Sequence, residues 1–470
     1  MARIRVTYLI VLGTILSSGC AQTMTSTKNV RRSHTFSAHQ RNQGNEAAAV
    51  AKSKATHTVK QTSYEPKDPE ELPSVVQVVR GPDEHLACLE QAAIANNPTL
   101  AEAHAKVRAA RGRWVQVGLP ANPVVGYSGQ QLGSGGTAEQ HGLLIGQELI
   151  HHQKRSLNRA VADREFRSAQ QQWAAQHQRV LTDVRIAYYT LLAAQQQVDL
   201  ATEIAEISKK AAKITGDLFD SGDVAKSAKM QSRVDAETAQ IRMENSHNEQ
   251  RAAWRNLMAV VGTPDQPLQR IAAQLSNQVP DLTWLDVRDR LWCHSPEMAT
   301  ALIEMERARR AVDRARVEKR PNVELEGVLQ VDHSTNSINT NVLAKIPLPV
   351  FDRNQGGVRE ATAQLRAAKA AIECVELRLQ QRLSEVFQRY QNARNQVERF
   401  TRAEGILEST EAALASVNAL YASSDVSFLE QQAAQRAYIQ TNLTYIAALR
   451  ELWTAVAEMD GLLLRDSLEK

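Results

Sequence analysis

Aromatic residues make up only 5% of this chain, too few to fill several large globular cores in 470 residues. Glycine and proline are few and clustered, so long intervals contain no helix breaker. Cysteine occurs at Cys20, Cys88, Cys293 and Cys374 with no CxxC pair, which excludes a zinc or thiol-redox motif. The last three are expected to be buried apolar thiols. His-rich and Met-rich tracts are absent, so no metal site is indicated. No nucleophile elbow, P-loop, GxGxxG or HExxH motif occurs, and the chain reads as neither an enzyme nor a cofactor carrier. Adjacent residues point in different directions, so His151 and His152 make a poor chelate and are read as polar rim residues. The formal charge of +4 gathers partly in Lys28, Arg31, Arg32, Lys52, Lys54 and Lys60. Without an RNP, zinc-finger or recognition-helix pattern, this excess does not indicate a nucleic-acid partner.

What is present begins with an export signal. Arg3 and Arg5 precede the apolar run 6–16, which is too short to cross a bilayer as a stable helix. Ser17, Ser18 and Gly19 then lead to Cys20, a pattern that resembles the lipobox of bacterial lipoproteins, with Ser17 where leucine is usual. Acylation of Cys20 is the expectation; ordinary cleavage nearby is the alternative. Residues 21–80 are polar, with few large apolar groups, and read as a flexible tether.

From residue 83 the pattern turns helical. Pro98 opens a helix that ends before Pro120, and strands are predicted over 124–132 and 138–150, separated by LGSGGT. Residues 157–215 contain neither Gly nor Pro. A continuous helix there would be about 90 Å long. It stops at LFDSGDV, where Gly222 permits a left-handed turn, and a second helix runs to residue 261.

The programme then repeats at an offset of about 200 residues. Helices around Pro296 are followed by strands over 323–331 and 339–348, then a helical stretch over 358–421 interrupted at Gly405. LYASSDV mirrors LFDSGDV; Trp453 precedes Gly461 as Trp254 precedes Gly262. Such self-similarity fixes the organisation: signal 1–20, tether 21–80, first repeat 81–264, second repeat 265–465. The fold class is mainly α with a small β part, each half running helix, two strands, very long helix, helix.

The strands connect this programme to a membrane. In the third, Val323, Leu325, Gly327, Leu329 and Val331 share one face, while Glu324, Glu326 and Gln330 share the other. This suits lipid outside and water inside; a half-buried strand of a soluble sheet is the alternative. Four strands cannot close a barrel, and an open edge cannot remain in lipid. Three chains would pool twelve. Ala-rich stretches such as ATAQLRAAKAAIE allow close side-by-side helix packing. Between strand and helix, Pro347 and Pro349 remove backbone donors, and Asp352 or Asn354 can cap the helix that follows.

Residues 83–465 resemble a TolC-type outer-membrane factor, the exit duct of tripartite efflux pumps. IPLPVFDRNQGGVREATAQL is similar to the metal-efflux (CzcC/CusC-like) branch, and LFDSGDV, LYASSDVSFLE and AAQR also match. GQELIHHQKRSLNRAVA looks like the first-half counterpart of the junction, without its prolines. The resemblance implies a homotrimer with a twelve-stranded barrel in outer-membrane lipid and a helical barrel in the periplasm. It also implies a periplasmic adaptor (membrane fusion protein) and an inner-membrane transporter of the RND type. The duct would be passive, opened by iris-like movement of the tip helices. Gly222, Asp223, Ser424 and Asp425 then fall at the periplasmic tips, where the adaptor would dock. Family members often carry two acidic residues after the second tip. Here Glu430 holds the first position and Ala433 the second. A ring of Glu430 carboxylates would favour cations at the aperture; a helix-start carboxylate favoured by the dipole is the other reading. Alternatives for the whole chain are a duct for type I protein secretion or multidrug efflux, and, in another class, a periplasmic coiled-coil adaptor.

Overall fold

The computed structural model describes residues 84–133, 135, 139–275, 278–423 and 426–469. Cys20, the export signal and the whole tether lie outside the described residues. The described part lies within one compact unit. Its first half holds α1 (Glu84–Asn96), α2 (Pro98–Gln116), β1 (Val124–Gln130), β2 (Gln140–Leu149), α3 (His152–Ser221) and α4 (Lys226–Val261). The second holds α5 (Trp284–His294), α6 (Pro296–Val317), β3 (Val323–Asp332), β4 (Ser337–Lys345), α7 (Gln355–Thr401), α8 (Ile406–Ala422) and α9 (Phe428–Asp460).

Local chemistry sets the matching starts of α2 and α6. Asn97 accepts from the Thr99 amide and Ser295 from the Met298 amide, and each is followed by proline at the first helical position. With no breaker in its sequence, α3 runs for 70 residues, on the order of 105 Å. The second half departs from this. Its helix breaks between Thr401 and Ile406, where Glu404 adopts a left-handed conformation beside Gly405. The resemblance between Gly262 and Gly461 is also limited. Gly262 caps α4 with a φ of 86°, whereas Gly461 has a φ of −76°. At Gly461 the lack of a side chain serves close approach instead: an added Cβ would overlap the Thr182 hydroxyl of α3.

The core lies where the long helices meet. Tyr188, Leu191 and Leu192 of α3 pack in one buried cluster with Leu257 and Met258 of α4, Leu379, Leu383 and Tyr390 of α7, and Leu449 and Leu452 of α9. Small residues narrow the spacing: Ala187 and Ala193 of α3, with Ala448 and Ala455 of α9, join the same cluster. Arg185 and Glu90 pair at 2.6 Å with both side chains nearly buried, fixing α1 on α3.

The cysteine expectation is overturned: Cys88, Cys293 and Cys374 are free and exposed. Helix phase is the reason. On α1, Leu86, Leu89 and Ala93 face the core, which turns Cys88 outward.

The four strands form one antiparallel sheet in the order β1-β2-β3-β4. The two halves meet in its centre, where Leu143 of β2 stands opposite Leu329 of β3 and Ile145 opposite Gly327. Three strands end short of their expected bounds: β1 stops at Gln130, β2 at Leu149, and β4 at Lys345, two residues before Pro347.

Candidate duct wall, junctions and tip

Strand register sorts the sheet into two chemically distinct faces. Val125, Tyr127, Leu143, Ile145, Leu325, Leu329, Val331, Ile338 and Val342 share one face by register and are exposed large apolar residues in the single chain. On the opposite face, beside exposed Val124 and Leu343, polar side chains bond one another. Lys345 donates to Glu326 at 2.7 Å, and Gln330 to Gln140 at 2.8 Å. Asp332 accepts from Gln140 and Asn339, and Glu148 accepts from Asn322 at 2.7 Å. An apolar exterior and a hydrogen-bonded interior are what a strand between lipid and water requires. Among the described residues, no helix is long and apolar enough to cross a membrane.

The two strand-to-helix crossings differ. Between β2 and α3 lie only Ile150 and His151. His151 caps α3, its ring nitrogen Nδ1 accepting from the Gln153 amide. Buried Lys154, one turn on, pairs with Glu318 at 3.1 Å, and Arg314 of α6 binds the same carboxylate. Burial alone would raise the Glu318 pKa, but the hydrogen bonds from Arg314 and Lys154 outweigh it and hold the carboxyl below its ordinary range.

The second crossing takes nine residues, from Ile346 to Asn354. Here the capping expectation needs correction. Asn354 occupies the N-cap position in a left-handed conformation, φ 57°, and its side chain makes no cap bond. Its side-chain amide donates across to the Ala315 carbonyl of α6 at 2.9 Å. Asp352 accepts from the Asn354 backbone amide, a local turn that holds this conformation. Both side chains thus position the chain rather than cap α7. Pro347 and Pro349 lie in the stretch without regular structure and are exposed.

At the far end of α3, Gly222 adopts φ 89° and its amide bonds back to Phe219, while the Asp223 amide bonds to Leu218. This left-handed ending lets α3 turn into α4. Lys229 of α4 closes the turn, 3.0 Å from Asp220 and over the Phe219 ring at 4.6 Å. Ser424 and Asp425 lie outside the described residues. Glu430 sits at the third position of α9 and is exposed. It forms a capping box with Ser427: the Ser427 amide donates to its carboxylate at 2.9 Å, and its own amide to the Ser427 hydroxyl.

Sequence reasoning missed a row of contacts that ties α9 to the first-half helices. Gln432 bonds Asp235 of α4, Gln435 donates to Ser208 of α3 at 2.7 Å, and Tyr438 to Glu203 of α3 at 3.3 Å. Thr215 and Tyr421 are 2.9 Å apart. Burial and the neighbouring Glu203 charge push the Tyr438 hydroxyl up to about 12. The signal was the spacing: 432, 435 and 438–439 recur on one helical face just after the tip.

Two segments, residues 89–263 and 287–463, each match the family model described as outer membrane efflux protein. The chain belongs to this family. As a member it is an outer-membrane exit duct for efflux, and the family's double match falls on the two halves that share the order of helices and strands. Among curated relatives, the cobalt-zinc-cadmium resistance protein CzcC of Cupriavidus metallidurans is 23% identical over 316 residues, covering 66% of this chain and 74% of CzcC. Solved structures share the fold. That of CusC superposes with a TM-score of 0.69 at 18% identity, over 86% of this chain and 99% of the other. The outer-membrane channel OprN gives 0.66 at 20% identity, over 81% and 90%. The open state of the Neisseria gonorrhoeae MtrE outer membrane channel gives 0.66 at 17%, over 80% and 88%.

Proposed function

We propose that three copies of this chain close a twelve-stranded barrel in the outer membrane and continue it as a helical tunnel into the periplasm. The observation that carries this reading is the pair of open edges. β1 and β4 each have a single hydrogen-bonded neighbour, yet the sheet presents a lipid-compatible face. In lipid an unpaired edge leaves backbone groups unsatisfied at several kcal/mol each, so the edges must find partners on other copies. Twelve strands is an allowed closed number.

In this reading the duct is passive and not an enzyme. A periplasmic adaptor docks at the tips formed by Gly222 and Asp223 and by Ser424 and Asp425, and an inner-membrane transporter of the RND type supplies the energy. The contacts from α9 to Asp235, Ser208 and Glu203 hold the tip closed, and Glu430 faces the aperture. Acylated Cys20 tethers the chain to the outer membrane. Heavy-metal cations are the favoured cargo, supported by the likeness to a cobalt-zinc-cadmium resistance protein. The test is to delete the gene and score sensitivity to cobalt, zinc and cadmium beside dyes and antibiotics. Selective metal sensitivity supports the cargo assignment, and sensitivity confined to dyes and antibiotics overturns it in favour of multidrug efflux.

A further inference from the structure

The lipid-compatible face of β4 is too short for the membrane it would cross. Its outward residues run from Ile338 through Val342 to Ala344, six residue steps. At about 3.3 Å per step and a strand tilt of about 40°, this rises only about 15 Å. The apolar band of an outer-membrane barrel is about 25 Å tall.

The chain beyond β4 supplies the missing height. Ile346, Leu348 and Val350 continue the same every-second-residue series as Ile338, Val342 and Ala344. Six further steps bring the total to at most about 30 Å. All three are exposed in the single chain, Leu348 at 77%, and Phe351 beside them is 91% exposed. Four large apolar side chains in a row, bare to water, mark an interaction surface. Nothing comparable exists at the first crossing, where Ile150 and His151 alone separate strand from helix.

Charge identifies the surface this stretch meets. Arg353 follows Phe351 by two residues and is exposed; the intervening Asp352 is also exposed, its carboxylate taken up by the Asn354 backbone amide at 2.8 Å. Asn354, the next residue, is bonded to Ala315 of α6, and exposed Lys319 and Arg320 follow Ala315 by four and five residues. An apolar strip bounded by exposed cations fits acyl chains bounded by lipid phosphates.

We propose that Ile346, Leu348, Val350 and Phe351 insert into the periplasmic leaflet of the outer membrane, with Arg353, Lys319 and Arg320 against its phospholipid headgroups. The strap completes the lipid-facing band below β4; Pro347 and Pro349 carry no backbone donor, and the Val350 amide bonds the Leu348 carbonyl at 2.9 Å. The proposal rests on the sheet spanning the membrane, so its test carries an internal control.

A photoreactive p-benzoylphenylalanine is introduced at position 351 of the full chain, and in a second variant at position 342, whose valine is 78% exposed in the middle of β4. Both are irradiated in outer-membrane vesicles, and the adducts are read by denaturing gel and peptide mass. The expected result is phospholipid adducts at both positions. Lipid adducts at 342 with chain-to-chain adducts at 351 would overturn the strap and place a second copy on this surface. Lipid adducts at 342 with no adduct at 351 would overturn it in favour of exposure to water. Lipid adducts at neither position would overturn the membrane-spanning sheet and the strap with it.

Discussion

The side-chain amide of Asn354 reaches the Ala315 carbonyl at 2.9 Å, binding the start of α7 to the end of α6. Asn354 makes this bond from a left-handed backbone, φ 57°, a conformation asparagine accepts more readily than most residues. Asn354→Gly keeps the conformation and loses the bond, about 1 kcal/mol. Asn354→Ala loses both, about 2 kcal/mol. Thermal unfolding of the detergent-extracted protein should rank native above glycine above alanine. Equal midpoints for all three would show that the bond does not hold the junction.

The clamp at the other crossing should respond to acid. The folded-state pKa of Glu318 is held below its ordinary value, so the folded chain releases this proton more readily than the unfolded chain. The stabilisation is therefore present above the ordinary carboxylate range and is lost as pH falls through the folded value. Glu318→Gln should lower stability at neutral pH and flatten the acid limb of the unfolding midpoint measured against pH. Parallel curves for native and variant would remove Glu318 from the clamp.

Glu430 offers a test that separates its two readings. Glutamine preserves a capping box, whereas alanine loses it at about 1 kcal/mol. If the carboxylate acts at the aperture, Glu430→Gln and Glu430→Ala should both lower cation selectivity in single-channel recordings. If it only caps α9, Glu430→Gln should match the native channel, and only the alanine variant should be less stable.

The contacts that tie α9 to α3 and α4 should govern opening. Asp235→Ala and Glu203→Ala together remove partners of Gln432 and Tyr438. The double variant should raise the open fraction of single channels while leaving the sheet intact. An unchanged open fraction would show that closure depends on other contacts.

Much of this architecture is legible in local sequence. Asn97-Pro98 and Ser295-Pro296 start helices by their own chemistry, and the breaker-free interval within α3 needs no distant partner. What escapes the sequence is set by distant neighbours. The pairing of Leu143 with Leu329 joins strands nearly 200 residues apart and leaves no local trace. Asn354 has a good capping side chain, and only the position of Ala315 diverts it. Residue type alone suggests that Cys88 is buried; the phase of α1 decides otherwise. At the tip, Gly222 is readable because its φ is a property of one residue, while the partners of Gln432, Gln435 and Tyr438 depend on how α9 lies across α3 and α4.

The central claim is that several copies pool their strands because one sheet cannot close. Native mass spectrometry of the chain extracted in detergent from the outer-membrane fraction tests this most directly. The account predicts a complex of three copies, stable until heated. A monomer recovered from the soluble periplasm would contradict it.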